Sequence, residues 1–225
     1  EWFSFDVATW VNFDQLVAAS EDAEKIHIVL SSKQAASFIE VDVCQQASGT
    51  LSLAMHQSKN IAAVSNIDEK LNAKLGALSV EVNARPCTLS ISKEGAFALK
   101  TGGIQALMDV DGTILRYSFA VRSPKEEAFY GFGERYNSLD QRGNTLVNRV
   151  IDQYKNQDRR TYYAVPFFIS SLGYGLWVKT DREVIFDMAE SDAAVWKIES
   201  DAGDTNSDLA IDLMPQGEPN AIIKE

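Results

Sequence analysis

The chain has 225 residues, 45% hydrophobic and 24% charged, and its 32 Asp and Glu outnumber 21 Lys and Arg for a formal net charge of −11. That length suits one large or two small globular domains, and the acidic balance argues against nucleic acid or an anionic membrane as partner, since both would repel it. No apolar run approaches the roughly 18 residues of a membrane-spanning helix, and no basic leader with an apolar core opens the sequence. Glu1 is not a natural start, so the chain reads as trimmed, and no feature assigns a compartment.

Taken in order, the elements are short strands. Trp2 to Val7, Lys25 to Leu30 and Phe38 to Val43 are rich in aromatic and β-branched residues, each with one polar face. Glu21 to Glu24 is a charged turn. Asp68 to Leu75, stopped by Gly76, has the spacing of one or two helical turns within residues 60–76. Ala77 to Ala84 and Cys87 to Ser92 alternate again, and Lys93-Glu94-Gly95 joins the latter to Ala96 to Leu99 as a hairpin. Asp109 to Thr113 repeats the device before Ile114 to Val121. Further on, Arg182 to Met188, Ala193 to Ile198 and Leu209 to Met214 continue the strands, and Pro215 to Pro219 breaks the pattern ahead of a helix or linker at Asn220 to Glu225. Many closely spaced strands with few helices exclude parallel βαβ units and predict an antiparallel β-sandwich. Phe38, Ile39, Val80, Val82, Leu89, Ile91, Phe119, Phe167, Ile169 and Trp177 are the expected core contributors.

The segment Phe129 to Thr180 is the most distinctive. Gly131-Phe132-Gly133 ends an aromatic strand where backbone must approach another element or take positive φ. Asn144 to Arg160 is polar yet carries Val147, Val150, Ile151 and Tyr154, which predicts a structured loop. Two strands follow, Tyr162 to Ser170 and Tyr174 to Thr180, joined tightly through Ser171-Leu172-Gly173. The pair YGFGERYNSLDQRG (Tyr130 to Gly143) and VPFFISSLGYGLWV (Val165 to Val178) resembles the amino-terminal β-sandwich domain of glycoside hydrolase family 31, which includes α-glucosidases, α-xylosidases and transglycosylases. The resemblance is strong over roughly Phe129 to Met188. It implies a galactose-mutarotase-like supersandwich over residues 1–215 and, in 216–225, the start of a linker toward a (β/α)8 barrel that carries the catalytic aspartates.

Candidate chemistry within these residues is sparse. Gly131 and Gly133 lack the third glycine and following helix of a dinucleotide fingerprint, since position 136 is Tyr. His27 and His56 have no Cys or carboxylate at ligand spacing, and Cys44 and Cys87 form no metal-like pair, so no metal, no cofactor and two free thiols are expected. Glu134 and Asp140 could be imagined as the two carboxyls of a glycosidase, but Arg135 and Arg142 beside them point to structural ion pairs. Asp187 and Glu190 read as surface carboxylates. No catalytic residue is assigned.

Substrate contact is different. In the family that the motifs resemble, the segment before the PFF strand reaches over the barrel mouth and touches sugar through an Asp at a fixed distance from the proline. Counting back from Pro166 gives Asp152, followed by Gln153, with Tyr154 as a stacking face. An ionised carboxylate suits the role because it accepts two hydroxyl hydrogen bonds side by side. Val147-Asn148 stands where some members carry Trp-Asn. The expected function is therefore a non-catalytic domain lining the site of a retaining α-glycoside hydrolase or transglycosylase, partnered by the barrel of the same polypeptide and an α-glycoside substrate. A free-standing carbohydrate-binding module is the alternative; a mutarotase-like epimerase, which needs a His and a Glu at the sheet, is the third reading.

Overall fold

Residues alternating between apolar and polar must bury one face of each strand, and two such sheets can do so only against one another. The computed structural model describes residues 7–60, 70–84, 86–93, 97–152, 161–203, 209–215 and 222. Along it run β1 (Thr9–Asn12), β2 (Gln15–Glu21), β3 (Lys25–Ser31), β4 (Phe38–Gln45), β5 (Leu51–Ser58), β6 (Lys70–Leu75), β7 (Leu78–Ala84), β8 (Cys87–Lys93) and β9 (Phe97–Met108). They are followed by β10 (Ile114–Arg122), β11 (Phe129–Gly133), β12 (Asn144–Asn148), β13 (Ala164–Ser170), β14 (Tyr174–Val178), β15 (Val184–Met188), β16 (Val195–Asp201) and β17 (Leu209–Met214). One sheet has the order β12-β15-β16-β10-β9-β8-β7-β6 with β1 added on β9; the other has β11-β13-β14-β17-β5-β4-β3-β2. The named strands pair antiparallel throughout, and the expected β-sandwich is observed.

A single core lies between the sheets. Ile39, Val41 and Val43 of β4, Leu51, Leu53 and Met55 of β5, and Leu209, Ile211 and Leu213 of β17 face Val80, Val82, Ile91, Phe119 and Ile198 from the other sheet. Of the expected core contributors, Ile39, Val80, Val82, Leu89, Ile91 and Phe119 are buried. Phe38, Phe167 and Ile169 are only half-buried, and Trp177 is 45% exposed. On β13 and β14 the inward set is instead Phe168, Ser170, Tyr174, Leu176 and Val178. Apolar residues on both faces leave no polar side chain to set the phase, so the run Val165 to Ile169 alone does not specify which face is buried.

The helical spacing is overridden at Lys70 to Gly76, while residues 61–69 of that expected segment lie outside those described. Lys70–Leu75 is strand β6, paired antiparallel with β7 through a turn that places Gly76 at φ +57°. The same residues fit a period of two, with Ala73 and Leu75 buried, and the adjacent β7 supplies the ladder bonds that an isolated turn of helix lacks. The expected strand at Trp2 to Val7 falls mostly on residues outside those described, as do most of Pro215 to Glu225 and the Glu94-Gly95 turn.

Cys44 and Cys87 are both free thiols. Burial pushes the Cys87 thiol up to about 12, with Asp14 adding to the shift. Because only the thiolate reacts, iodoacetamide at pH 8 is expected to label Cys87 far more slowly than Cys44 in the native protein and at a similar rate once the protein is denatured. Equal labelling rates in the native protein, read by mass spectrometry, would contradict the packing around β8.

Candidate functional site

The two outermost strands β11 and β12 meet at one end of the sandwich, and their junction begins with backbone strain. Gly131, Phe132 and Gly133 all have positive φ, at +120°, +68° and +84°. For a bulky residue such as Phe132 this region costs about 1–2 kcal/mol. The bulge turns Phe132 inward, where it is fully buried, stacked on Phe168 with centroids 5.2 Å apart and edge-on to Phe186 at 5.1 Å. Burying a phenylalanine contributes about 1.5–3 kcal/mol, enough to hold the strained conformation. The pairing of β11 with β13 shifts register there, from Gly131↔Phe168 to Gly133↔Ala164.

Arg135 leaves the bulge and fastens it. Its Nε donates to the Phe132 carbonyl at 3.1 Å, and its Nη2 donates to Asn148 Oδ1 at 2.9 Å. Burial pulls its guanidinium down to about 10, still charged at neutral pH. Asn148, the last residue of β12, is itself buried. One side chain thus ties the edge of one sheet to the edge of the other. Asn148, of the Val147-Asn148 pair that stands where some family members carry Trp-Asn, is engaged as a brace.

The chain beyond β12 and the chain entering β13 are then pinned together. Ile151 N donates to the Thr161 carbonyl at 3.0 Å, beside a bridge between Val150 and Thr161. Thr161 Oγ1 donates to the Glu134 carbonyl at 2.6 Å, and Glu134 N donates to the Tyr163 carbonyl at 3.0 Å. Asp152 stands at the start of the segment so clamped, and its side chain is exposed. Gln153 and Tyr154 lie outside the described residues. Next to the stems is a cleft of about 540 Å³ lined by Asn148, Arg149, Val150, Pro166, Arg182 and Glu183, among others. Arg149 lies 3.6 Å from Glu183 across it. Tyr136, Tyr162 and Tyr163 are more than half exposed around the same corner. Their exposure is set by the bulge and by β13's register, so nothing local in the sequence marks them as surface aromatics.

The LDQRG stretch is framework. Asp140 Oδ1 accepts from the backbone N–H of Phe129 at 3.0 Å and of Arg142 at 2.9 Å, capping the start of β11. Arg142 donates to Ser123 Oγ at 2.8 Å and to the carbonyls of Glu127 at 3.0 Å and Ala193 at 2.7 Å. Glu134 accepts from the Tyr136 hydroxyl at 3.0 Å. Among the described residues the expected ion pairs do not form: Asp140 accepts from backbone N–H groups, Arg142 donates to two carbonyls and the Ser123 hydroxyl, and Glu134 is exposed beside Tyr136. Asp187 corrects the surface reading: it is buried and accepts from the N–H groups of Glu190 at 2.9 Å and Ser191 at 3.2 Å, while Glu190 is exposed. A carboxylate beside a tight turn is drawn inward when backbone donors replace its water.

The histidines also gain partners that sequence spacing hides. Register sets His27 opposite Asp42 and His56 opposite Glu40. His27 Nδ1 lies 2.7 Å from Asp42, and Glu40 lies 3.5 Å from His27 and 3.3 Å from His56. Lys25, 2.7 Å from Asp42, completes a surface ladder. The His and Glu that the mutarotase-like reading requires at the sheet are thus engaged with one another, Glu40 bridging both histidines. Among the described residues no group of three or more His, Cys, Asp or Glu could hold a metal ion.

The family model for the glycosyl hydrolase 31 N-terminal galactose mutarotase-like domain matches residues 39–187. The chain belongs to this family. Its match with the family 31 domain takes in the bulge, the brace and Asp152, and reaches well upstream of the motifs. The isomaltosyltransferase of Sporosarcina globispora is 28% identical over 221 residues, covering 89% of this chain and 20% of that protein. The 1,3-alpha-isomaltosidase of Kribbella flavida is 34% identical over 99 residues, covering 41% of this chain and 14% of that protein. The cycloalternan-forming enzyme of Listeria monocytogenes, solved with a pentasaccharide substrate, shares the fold with TM-score 0.81 at 23% identity, over 92% of this chain and 21% of that one. The chain thus spans between about a seventh and a fifth of the length of these relatives.

Proposed function

We propose that this chain is the amino-terminal, non-catalytic sandwich of an enzyme that hydrolyses or transfers α-glycosyl units, and that the segment from Ile151 to Thr161 lends one wall of its sugar site. The observation that carries the reading is the family match over residues 39–187, which includes that segment. The braced stems support it, because strain and a buried arginine are spent on holding the ends of one polar loop in place. Asp152 accepts substrate hydroxyls, with Gln153 and Tyr154 beside it, and the nucleophile and acid belong to the barrel that the resemblance implies. The relative matched along 89% of this chain transfers isomaltosyl units by name, so an α-glucosyl oligosaccharide is the substrate class we assign. Residues 1–215 are the sandwich and 216–225 the way into the barrel. Nucleic acid and membrane are not partners in this reading; among the described residues no helix is long and apolar enough to cross a membrane.

The purified 225-residue chain is expected to turn over no aryl α-glucoside, whereas the polypeptide extended through the barrel does. Turnover by the short chain that disappears on Glu134→Gln or Asp140→Asn would overturn the non-catalytic assignment.

A further inference from the structure

The outer face of the sheet β11-β13-β14-β17-β5-β4-β3-β2 is divided. Across β3, β4 and β5 it carries the ladder of Lys25, His27, Glu40, Asp42 and His56. Across β11, β13, β14 and β17 it carries Tyr130, Phe167, Ile169, Trp177 and Met214. These are brought side by side by the pairs Tyr130↔Ile169, Phe167↔Trp177 and Gly175↔Met214. Trp177 is 45% exposed and the others are half-buried, an apolar patch bordered on β17 by Asp212, which pairs with Trp177. Ile222 lies on this half and is buried: a Cβ added at Gly175 would meet Ile222 Cγ2 at 2.7 Å and the Phe167 ring at 3.3 Å. Ile222, beyond β17 in the chain, is therefore seated on the apolar half.

We infer that this half-face, centred on Trp177, is the seat of the barrel domain that follows in the same polypeptide. The inference rests on the functional reading above and adds to it where the barrel docks. The occupant is protein rather than sugar because, among the described residues, the patch is mostly aliphatic and aromatic carbon, with the Tyr130 hydroxyl and the Trp177 indole as its polar tips. The one carboxylate beside Trp177 across the ladder, Asp212, is held by Ser52 Oγ and by Lys179 Nζ at 2.8 Å. It is the following domain rather than a second copy because Ile222 is already seated there, and a tethered domain meets the face at high effective concentration.

Hydroxyl-radical footprinting of the 225-residue chain and of the barrel-extended polypeptide tests this. Trp177 is expected to oxidise readily in the short chain and severalfold more slowly in the long one, while Trp10, on β1 of the other sheet and 37% exposed, changes little. Trp177→Lys should leave the melting temperature of the short chain unchanged and lower that of the long polypeptide. Equal oxidation of Trp177 in both lengths, with the long form active on α-glycosides, overturns the docking face and leaves the functional reading standing. A long form without glycosidase activity removes both. Concentration-dependent dimerisation that shields Trp177 in the short chain, or quenching of Trp177 fluorescence there by isomalto-oligosaccharide, gives the face to another occupant and equally overturns the inference.

Discussion

Gly133→Ala is expected to destabilise the protein by about 2–3 kcal/mol, the sum of a positive-φ penalty of about 1–2 kcal/mol and a displaced backbone hydrogen bond of about 1 kcal/mol. Gly133 sits at φ +84°, and a Cβ there would overlap the Tyr163 carbonyl oxygen, the acceptor for Glu134 N. Neither atom can yield without moving β13 away from the bulge, so Phe132 and its ring contacts with Phe168 and Phe186 are disturbed as well. Gly143→Ala is the control. Its φ of +78° is equally left-handed, yet no atom lies within 4 Å of the added Cβ, so only the conformational term of about 1–2 kcal/mol applies. Urea unfolding of both variants checks the difference; equal losses would mean that close approach at the bulge contributes nothing.

Glu127→Ala is expected to cost about 3–5 kcal/mol, because each buried hydroxyl left without its acceptor costs about 1–3 kcal/mol and three share this one carboxylate. Glu127 is 1% exposed. Its carboxyl oxygens accept from Ser123 Oγ at 2.6 Å, Ser170 Oγ at 2.6 Å and the Tyr174 hydroxyl at 2.5 Å, and the Tyr174 oxygen in turn accepts from Trp196 Nε1 at 3.0 Å. Burial, reinforced by the Glu127 charge, raises the Tyr174 phenol well above its usual range, so it stays a donor at any working pH. Removing the carboxylate takes the acceptor from three buried hydroxyls, on Ser123 after β10, Ser170 on β13 and Tyr174 on β14, and leaves a cavity beside them. Glu127→Gln keeps one acceptor oxygen and should lose roughly half as much. A loss below about 1 kcal/mol for Glu127→Ala would show that the network does not hold the two sheets in register.

Legibility in the sequence followed locality. Hairpins such as Cys87–Lys93 with β9, and alternation such as Ile39, Val41 and Val43, are written in neighbouring residues and read directly. β1, β2 and β5 carry weaker signals: β2 is Gln15-Leu16-Val17-Ala18-Ala19-Ser20-Glu21, low in β-branched residues, and forms because β3 offers it an edge. The inward face of β13 is fixed by Phe132 and Phe186 from elsewhere in the chain. The same limit hid the site. Asp152 could be placed by counting from Pro166, but the Arg135 to Asn148 brace, the Glu127 network and the His27 and His56 pairings join residues from different strands. Their partners are set by register, which no spacing along the chain reveals.

The central claim, that the clamped segment contributes a sugar contact, is tested most directly at Asp152. A hydrogen bond to a charged group contributes about 1.5–3 kcal/mol, so Asp152→Ala in the barrel-extended enzyme should lower kcat/KM about ten- to hundredfold. Asp152→Asn, which keeps one acceptor, should fall between. Melting temperature should scarcely move, because the side chain is exposed and the neighbouring Arg149 is engaged with Glu183. The measurement is kcat/KM for both variants on an α-linked glucose disaccharide and on an aryl α-glucoside, with thermal unfolding alongside. A selective kinetic loss with unchanged stability is the predicted result; unchanged kcat/KM on both substrates would contradict the account and leave Asp152 a surface charge on the loop.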